Sequence, residues 1–277
     1  MFYKFYKKSG DFANQTVRKL GRELGTKKIG HTGILDPLAS GLMIIATESD
    51  TKLLQYIDDK TKTYVTTCLF GYYSDSYDID TEYKKVTDNS VTKEQIEQAI
   101  LKIKQQTTQI PPIYSAKKIN GQKAYDLARK NVEFEIKPQS ITIYELKLLE
   151  FDFEKQWAKF EMKVSEGAYV RSVLMDLAKE CDNSCVMDSL LRKECGKVKL
   201  DNLKENELSE ISLNELFVLP TFDLNDYEKN QLKFGRSFTK RNGKDGIYLA
   251  INNNQVASVG EVKDEKFSPK KVFMERL

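Results

Sequence analysis

The chain has 277 residues, 40% hydrophobic and 31% charged, with 44 Lys/Arg against 41 Asp/Glu and a net charge of +3. That length fits one large domain, or one domain with a small appendage, and is ample for a buried core. A mean hydropathy of −0.52 and the lack of any apolar run of about 18 residues argue against a membrane-spanning helix, and the single histidine excludes metal sites built on two.

The opening stretch, MFYKFYKKSGDF, carries charge without an apolar core, so no signal peptide is expected and the chain is placed in the cytoplasm. Residues 14–24 (NQTVRKLGREL) have apolar positions at helical spacing and predict a helix with a basic face. The run LMIIAT (42–47) predicts a buried strand, and TYVTTCLF (63–70), rich in β-branched and aromatic residues, predicts another. Thr92, with Gln95 three residues later, is a capping-box pattern for a helix over 92–104. Residues 141–151 and 157–165 alternate around DFEKQ and predict an antiparallel hairpin, and 169–180 returns to helical spacing. After Pro220 the character changes to short β-like segments (GIYLAINN, QVASVGEV) between Gly and Asn turns. Strands and helices mix without strict βαβ alternation, which favours an α+β fold with a largely antiparallel sheet. The expected division is 1–220 and a small β-rich module at 221–277.

Charge is unevenly placed. Residues 1–40 hold eight Lys/Arg against three Asp/Glu, residues 102–130 seven against one, and the chain from Tyr227 eleven against six. Such patches suit a polyanion, or are solvated lysine faces. Cys68, Cys181, Cys185 and Cys195 form no C-x-x-C pair and suggest neither a zinc site nor a disulfide framework. Asp75, Asp78 and Asp80 cluster in SDSYDID without the glycine and distal Glu of a calcium loop, and read as a solvated acidic turn.

The most unusual stretch is Lys28 to Gly41, KIGHTGILDPLASG. A carboxylate, the one histidine and three glycines share a loop beside basic residues, without the spacing of a phosphate-binding P-loop. Two readings of Asp36 stand at this point: a helix N-cap before Pro37, or a reactive carboxylate.

GHTGILDPLASG resembles the catalytic motif of the tRNA pseudouridine synthase B family, G-H-x-G-x-L-D-P-x-A-x-G. Lys62-Thr63-Tyr64 resembles that family's K-x-Y, Pro111 to Arg129 its P-P-x-[YF]-S-A-x-K segment, GAYVRS its G-T-Y-I-R-S, and Leu191-Arg192-Lys193 its L-R-R. Five motifs stand in family order over roughly residues 28–193. Departures are Lys7-Lys8-Ser9-Gly10, which lacks the proline of D-K-P-x-G, Ile34 for a common Thr or Ala, and Ala168 for a common Thr.

The resemblance implies a pseudouridine synthase fold: a central, mainly antiparallel mixed sheet flanked by helices, with a C-terminal module that is a reduced PUA-like domain. It implies isomerisation of uridine to pseudouridine in the T-loop of tRNA at position 55, by base flipping and attack of an aspartate carboxylate, with no metal or cofactor. Asp36 would be the catalytic carboxylate, Arg171 its orienting partner, and Tyr64 the candidate proton acceptor. His31, Tyr64, Tyr169 and Leu191 would bind the flipped base, while Lys117, Lys118, Lys123, Tyr125 and Arg129 would contact RNA from an insertion around 105–130. The expected partner is the tRNA T-arm, with no membrane and no obligate protein partner, and the chain is expected to be a monomer. The rival reading is a non-catalytic tRNA-binding or tRNA-folding protein. A hydrolase with paired carboxylates would need a second carboxylate across the pocket, which no motif nominates. The catalytic subunit of a guide-RNA particle would bring longer basic extensions.

Overall fold

The computed structural model describes residues 1–130, 132–240 and 243–277. Residues 241–242, inside the expected C-terminal module, and residue 131 lie outside the described residues. The chain divides into two compact units, Met1–Gln55 with Asp59–Leu216, and Tyr56–Asp58 with Phe217–Leu277.

In the first unit the strands are β1 Phe2–Lys7, β2 Ile29–Thr32, β3 Ser40–Thr47, β4 Lys62–Phe70, β5 Ile143–Asp152, β6 Trp157–Val164, β7 Cys185–Cys195, β8 Val198–Lys199 and β9 Leu208–Glu210. They form one sheet of order β5-β6-β4-β7-β3-β1-β9, with β2 paired to β3 and β8 to β7. All pairs are antiparallel except β7 with β3, where Leu191 faces Ser40 and Arg192 faces Gly41. On its other side β7 places Arg192 opposite Tyr64 of β4. One strand thus brings two distant motifs together.

Sequence patterns explain the elements. In β6, Ala158, Phe160, Met162 and Val164 are buried and the residues between them half-buried, the period of a strand covered on one face. Helix α1 (Ala13–Glu23) buries Ala13, Val17, Leu20 and Gly21. Helix α2 (Lys93–Ile103) buries Ile96, Ala99, Ile100 and Ile103, and its Thr92/Gln95 capping box is formed. Helix α3 (Ala124–Arg129) is short. Helix α4 (Val170–Glu180) is buried along most of its length, including Val173, Leu174, Leu177 and Ala178, in the core shared by α1, α2 and the sheet. The four cysteines are free, and three are buried.

Two expectations need correction. Asp36 is not a helix cap: Ala39 N donates to Asp36 O at 3.1 Å, so Asp36–Ala39 is a turn with proline at its second position, and β3 follows directly. The acidic turn is not uniformly solvated: Asp78 is 2% exposed and ion-paired, whereas Asp75 and Asp80 are exposed. The basic segment contains the hairpin Lys118–Ile119/Gln122–Lys123 ahead of α3.

The second unit is a five-stranded sheet with β10 Thr221–Asp223, β11 Phe238–Thr239, β12 Gly246–Asn252, β13 Gln255–Lys263 and β14 Lys266–Val272, in the order β10-β12-β13-β14-β11. Helix α5 (Asp226–Lys233) starts from an Asn225/Glu228 capping box. Leu232, Phe238, Ala257, Val262 and Phe267 fill its core, with Phe238 stacked on Phe267 at 5.1 Å. Among the described residues no helix is long and apolar enough to cross a membrane.

Candidate active site

The Asp36 turn is held rigidly from below. Lys7 ends β1 on the same face as Phe5, and its fully buried ammonium donates to the carbonyls of Lys8 (2.9 Å), Pro37 (3.2 Å) and Ala39 (2.6 Å). Burial lowers its pKa to about 8, against the pull of Asp11, Asp36 and Asp80. Ser9 Oγ donates to Leu38 O and Gly10 N to Pro37 O, each at 2.8 Å, and Leu38 N donates to Asp80 Oδ2 at 3.1 Å. The backbone around Asp36 therefore has little freedom, whereas its side chain is 39% exposed.

Arg171, in the first turn of α4, lies beneath that side chain. Its guanidinium is 5% exposed and donates from Nη2 to Asp36 Oδ2 at 2.7 Å and to Tyr114 O at 3.0 Å. Its Nη1 donates to Ser76 O at 2.7 Å and lies 3.1 Å from Asp78 Oδ2. Asp78 also accepts from Ser76 Oγ and from Asp80 N. Burial raises the Asp78 carboxyl pKa, and Arg171 works against that rise. A buried cation is thus fixed by two carboxylates and two carbonyls. Among the described residues Asp36 Oδ1 has no hydrogen bond, so one oxygen is anchored and the other is left for a ligand.

Tyr64 of β4 is 7% exposed, and burial raises its phenol pKa while the adjacent Arg192 guanidinium pulls it down; burial prevails. Tyr169, before α4, is locked through its backbone: Gln109 accepts from Tyr169 N at 2.8 Å and donates to Tyr169 O at 3.1 Å. Burial raises its phenol as well, with Asp36 adding to the rise and Ser115 opposing it. His31 lies in β2 with Nδ1 buried and unpartnered; burial first, then Arg192, lower its pKa, so the ring is neutral at pH 7. Leu191 is half-buried beside Ser40 at the parallel junction.

Arg192 is 1% exposed and donates from Nε to Leu42 O at 2.6 Å and from Nη2 to Gly33 O at 3.2 Å. Gly41 is required at this crossing: its φ is +106, and a Cβ there would stand 2.4 Å from Arg192 O. Asp36 and Arg171 are joined by a direct bond, and both neighbour the electrostatic surroundings of Tyr169. Tyr64, His31 and Leu191 gather around Arg192.

The basic segment is more self-contained. Lys117 donates to Gln139 Oε1 at 2.9 Å and to Lys137 O at 3.3 Å. Lys123 donates to Tyr125 O–H at 2.9 Å, and both Lys123 and Arg129 lie over the Tyr125 ring, at 5.2 and 5.5 Å. Lys118 is exposed. Among the described residues no cluster of His, Cys, Asp and Glu is placed to hold a metal ion.

Sequence reasoning missed Asp78, Lys7, Gln109 and the structural part of Arg192. Lys7 had a signal, since the period of β1 puts it on the face of Phe5. Asp78 lies in a polar run, where local pattern favours solvent.

Residues 21–170 match the TruB family pseudouridylate synthase (N terminal domain). The tRNA pseudouridine synthase B of Mycoplasma mobile is 34% identical over 262 residues, covering 94% of this chain and 90% of that protein. The protein of the same name from Mycoplasmopsis pulmonis is 33% identical over 279 residues, covering 100% and 96%. That from Fusobacterium nucleatum is 43% identical over 197 residues, covering 70% and 67%. A solved Cbf5-Nop10-Gar1 complex shares the fold, with a TM-score of 0.70 at 17% identity over 99% of this chain and 86% of that one. An H/ACA RNP bound to a substrate RNA containing 2′-deoxyuridine gives 0.68 at 16%, over 99% and 85%. The α+β fold is that of a pseudouridine synthase, an isomerase. Within that class the chain belongs to the TruB family.

Proposed function

We propose that this enzyme converts uridine to pseudouridine in tRNA, at position 55 of the T-loop. The observation that carries this reading is Asp36: an exposed carboxylate with one oxygen anchored on a buried guanidinium and the other unengaged. The tRNA substrate is supported by the names of the relatives, and the T-loop by the family motifs around Asp36, Tyr64, Arg171 and Leu191.

The reaction breaks N1–C1′, turns the base and joins C5 to C1′; the C5 proton leaves and N1 gains one, so no electron donor or acceptor is needed. The target base leaves its stack and enters the pocket, a cost met by contacts to the flipped nucleotide. Tyr64, Tyr169 and Leu191 pack against it, and His31, as a neutral imidazole, offers a hydrogen-bonding edge. Asp36, oriented by Arg171, forms a transient bond to the nucleotide through its free oxygen, and that bond breaks again as the carboxylate is released with product formation. Tyr64 stands beside the base as the candidate acceptor for the C5 proton, a role that needs its anionic form; Arg192 favours that form and burial, the stronger effect, opposes it. Lys118, with Lys117, Lys123, Tyr125 and Arg129 around the hairpin and α3, contributes to the surface that meets the RNA. The C-terminal β-rich unit is assigned as a reduced PUA-like RNA contact.

The test is uridine conversion in an unmodified tRNA T-arm by the native chain and by Asp36→Asn. Conversion by the native chain alone is expected. Asn keeps the volume and removes the charge, so a melting midpoint close to native is expected for the variant. Equal conversion by both would remove the carboxylate from the chemistry. RNA binding without conversion by the folded native chain would favour the tRNA-folding reading.

A further inference from the structure

Two cations, the buried Arg192 and the half-buried Lys62, converge over the backbone of the Asp36 loop with no carboxylate between them. Gly33 has a φ of +65, and a Cβ built there would meet Lys62 Cε at 3.3 Å, Arg192 Nη1 at 3.4 Å and Lys62 Nζ at 3.7 Å. Because residue 33 is glycine, that space is empty. It opens to solvent, since Gly33 and Ile34 are exposed. Among the described residues, the Lys62 ammonium makes no hydrogen bond and no ion pair. Glu166, whose charge it feels, is engaged by Lys60 at 3.4 Å. Arg192 is held by carbonyls, with the Cys195 thiol and Tyr64 beside it and no carboxylate.

A buried cation without a partner is costly, and two facing one point are more so. Burial and Arg192 together lower the Lys62 pKa, as expected for a charge lacking its counterion. A neutral carbonyl oxygen of the base would leave both charges uncompensated. A phosphodiester brings a full negative charge and two non-bridging oxygens, one for each donor, and needs a floor with no side chain.

We propose that Lys62, Arg192 and the bare backbone of Gly33 form a seat for one backbone phosphate of the substrate RNA. Lys62 stands two residues before Tyr64 on the same face of β4, and Gly33 three residues before Asp36 in the loop. The seat would therefore fix the strand beside the extruded nucleotide and set its depth in the pocket. This rests on the reading of the substrate as RNA.

The test uses T-arm RNAs in which one phosphate at a time is replaced by a neutral methylphosphonate. Native chain, Lys62→Met and Lys62→Arg are compared, and Arg192 is left in place because the sheet junction depends on it. One replacement should weaken binding by the native chain about tenfold and have no further effect on Lys62→Met, whose log–log salt slope should fall by about 0.7 to 0.9. Lys62→Arg should restore sensitivity at that linkage. Lys62→Met should melt no lower than the native chain, because it loses an uncompensated charge. Equal sensitivity of native chain and Lys62→Met at every linkage, or an unchanged salt slope, would overturn the seat while leaving uridine conversion intact. If the native chain neither binds nor converts the T-arm, the RNA reading fails. Inorganic phosphate then decides the seat: a rise in melting midpoint for the native chain and not for Lys62→Met supports it, and no difference overturns it.

Discussion

At the scale of single residues, the site is organised around two arginines with opposite surroundings. Arg171 is saturated: two carboxylates and two carbonyls fix it, so it serves as the fixed base of Asp36. Removing Asp78, the buried one of the two carboxylates, unbalances a buried charge, whereas water can take the place of the more exposed Asp36. Asp78→Asn is expected to cost about 3 kcal/mol in urea unfolding and to slow single-turnover conversion by about tenfold to a hundredfold, through the loosened Arg171. His31 adds a pH dependence. Its pKa is lowered on folding, so below the ordinary histidine value of about 6.5 the unfolded chain takes up a proton that the folded chain refuses. Stability should fall as pH drops from about 7 toward 5.5, and His31→Gln should flatten that stretch. A native-like slope in the variant would assign the effect to carboxylates.

At the scale of elements, periodicity was a reliable guide where one segment carries its own evidence. The helix expected at 92–104 is α2, and its capping box is formed as Thr92 and Gln95 implied. Thr92→Ala should lower stability by about 1 kcal/mol without changing conversion, because α2 holds none of the residues assigned to the site. The hairpin around DFEKQ and the helix opening near Tyr169 were likewise legible, since alternation and helical spacing are local properties. The Asp36–Arg171 contact was not local: it joins residues 135 positions apart, and only the family motifs pointed to it. Asp-Pro misled in one respect, because the same dipeptide opens a helix or a turn. The tether to β1 and Asp80 selects the turn here. Asp78 was misjudged because a polar run gives no hint that a buried arginine will cross it. Gly41→Ala tests the β3/β7 crossing. A Cβ against Arg192 O forces the backbones apart, so a loss of more than about 2 kcal/mol is expected together with loss of conversion.

At the scale of the whole molecule, the modest net charge conceals basic surfaces separated along the chain. Binding of the T-arm should therefore weaken steeply with salt, with a log–log slope set by the number of phosphates engaged, about 0.7 to 0.9 per contact. A slope near zero would mean that recognition is not carried by those surfaces. The large sheet has a further consequence. Its two halves, β5-β6-β4-β7 and β3-β1-β9, meet at a parallel contact two residue pairs long, and Arg192 reaches across to Leu42 O beside it. The motif residues stand on both banks: Tyr64 and Leu191 on one, Asp36 and His31 on the other. One core joins the two banks, and RNA contacting residues on both would add a clasp across their short backbone contact. Amide exchange along β3 and β7 should then slow when substrate is bound, while exchange in β5 stays as it was.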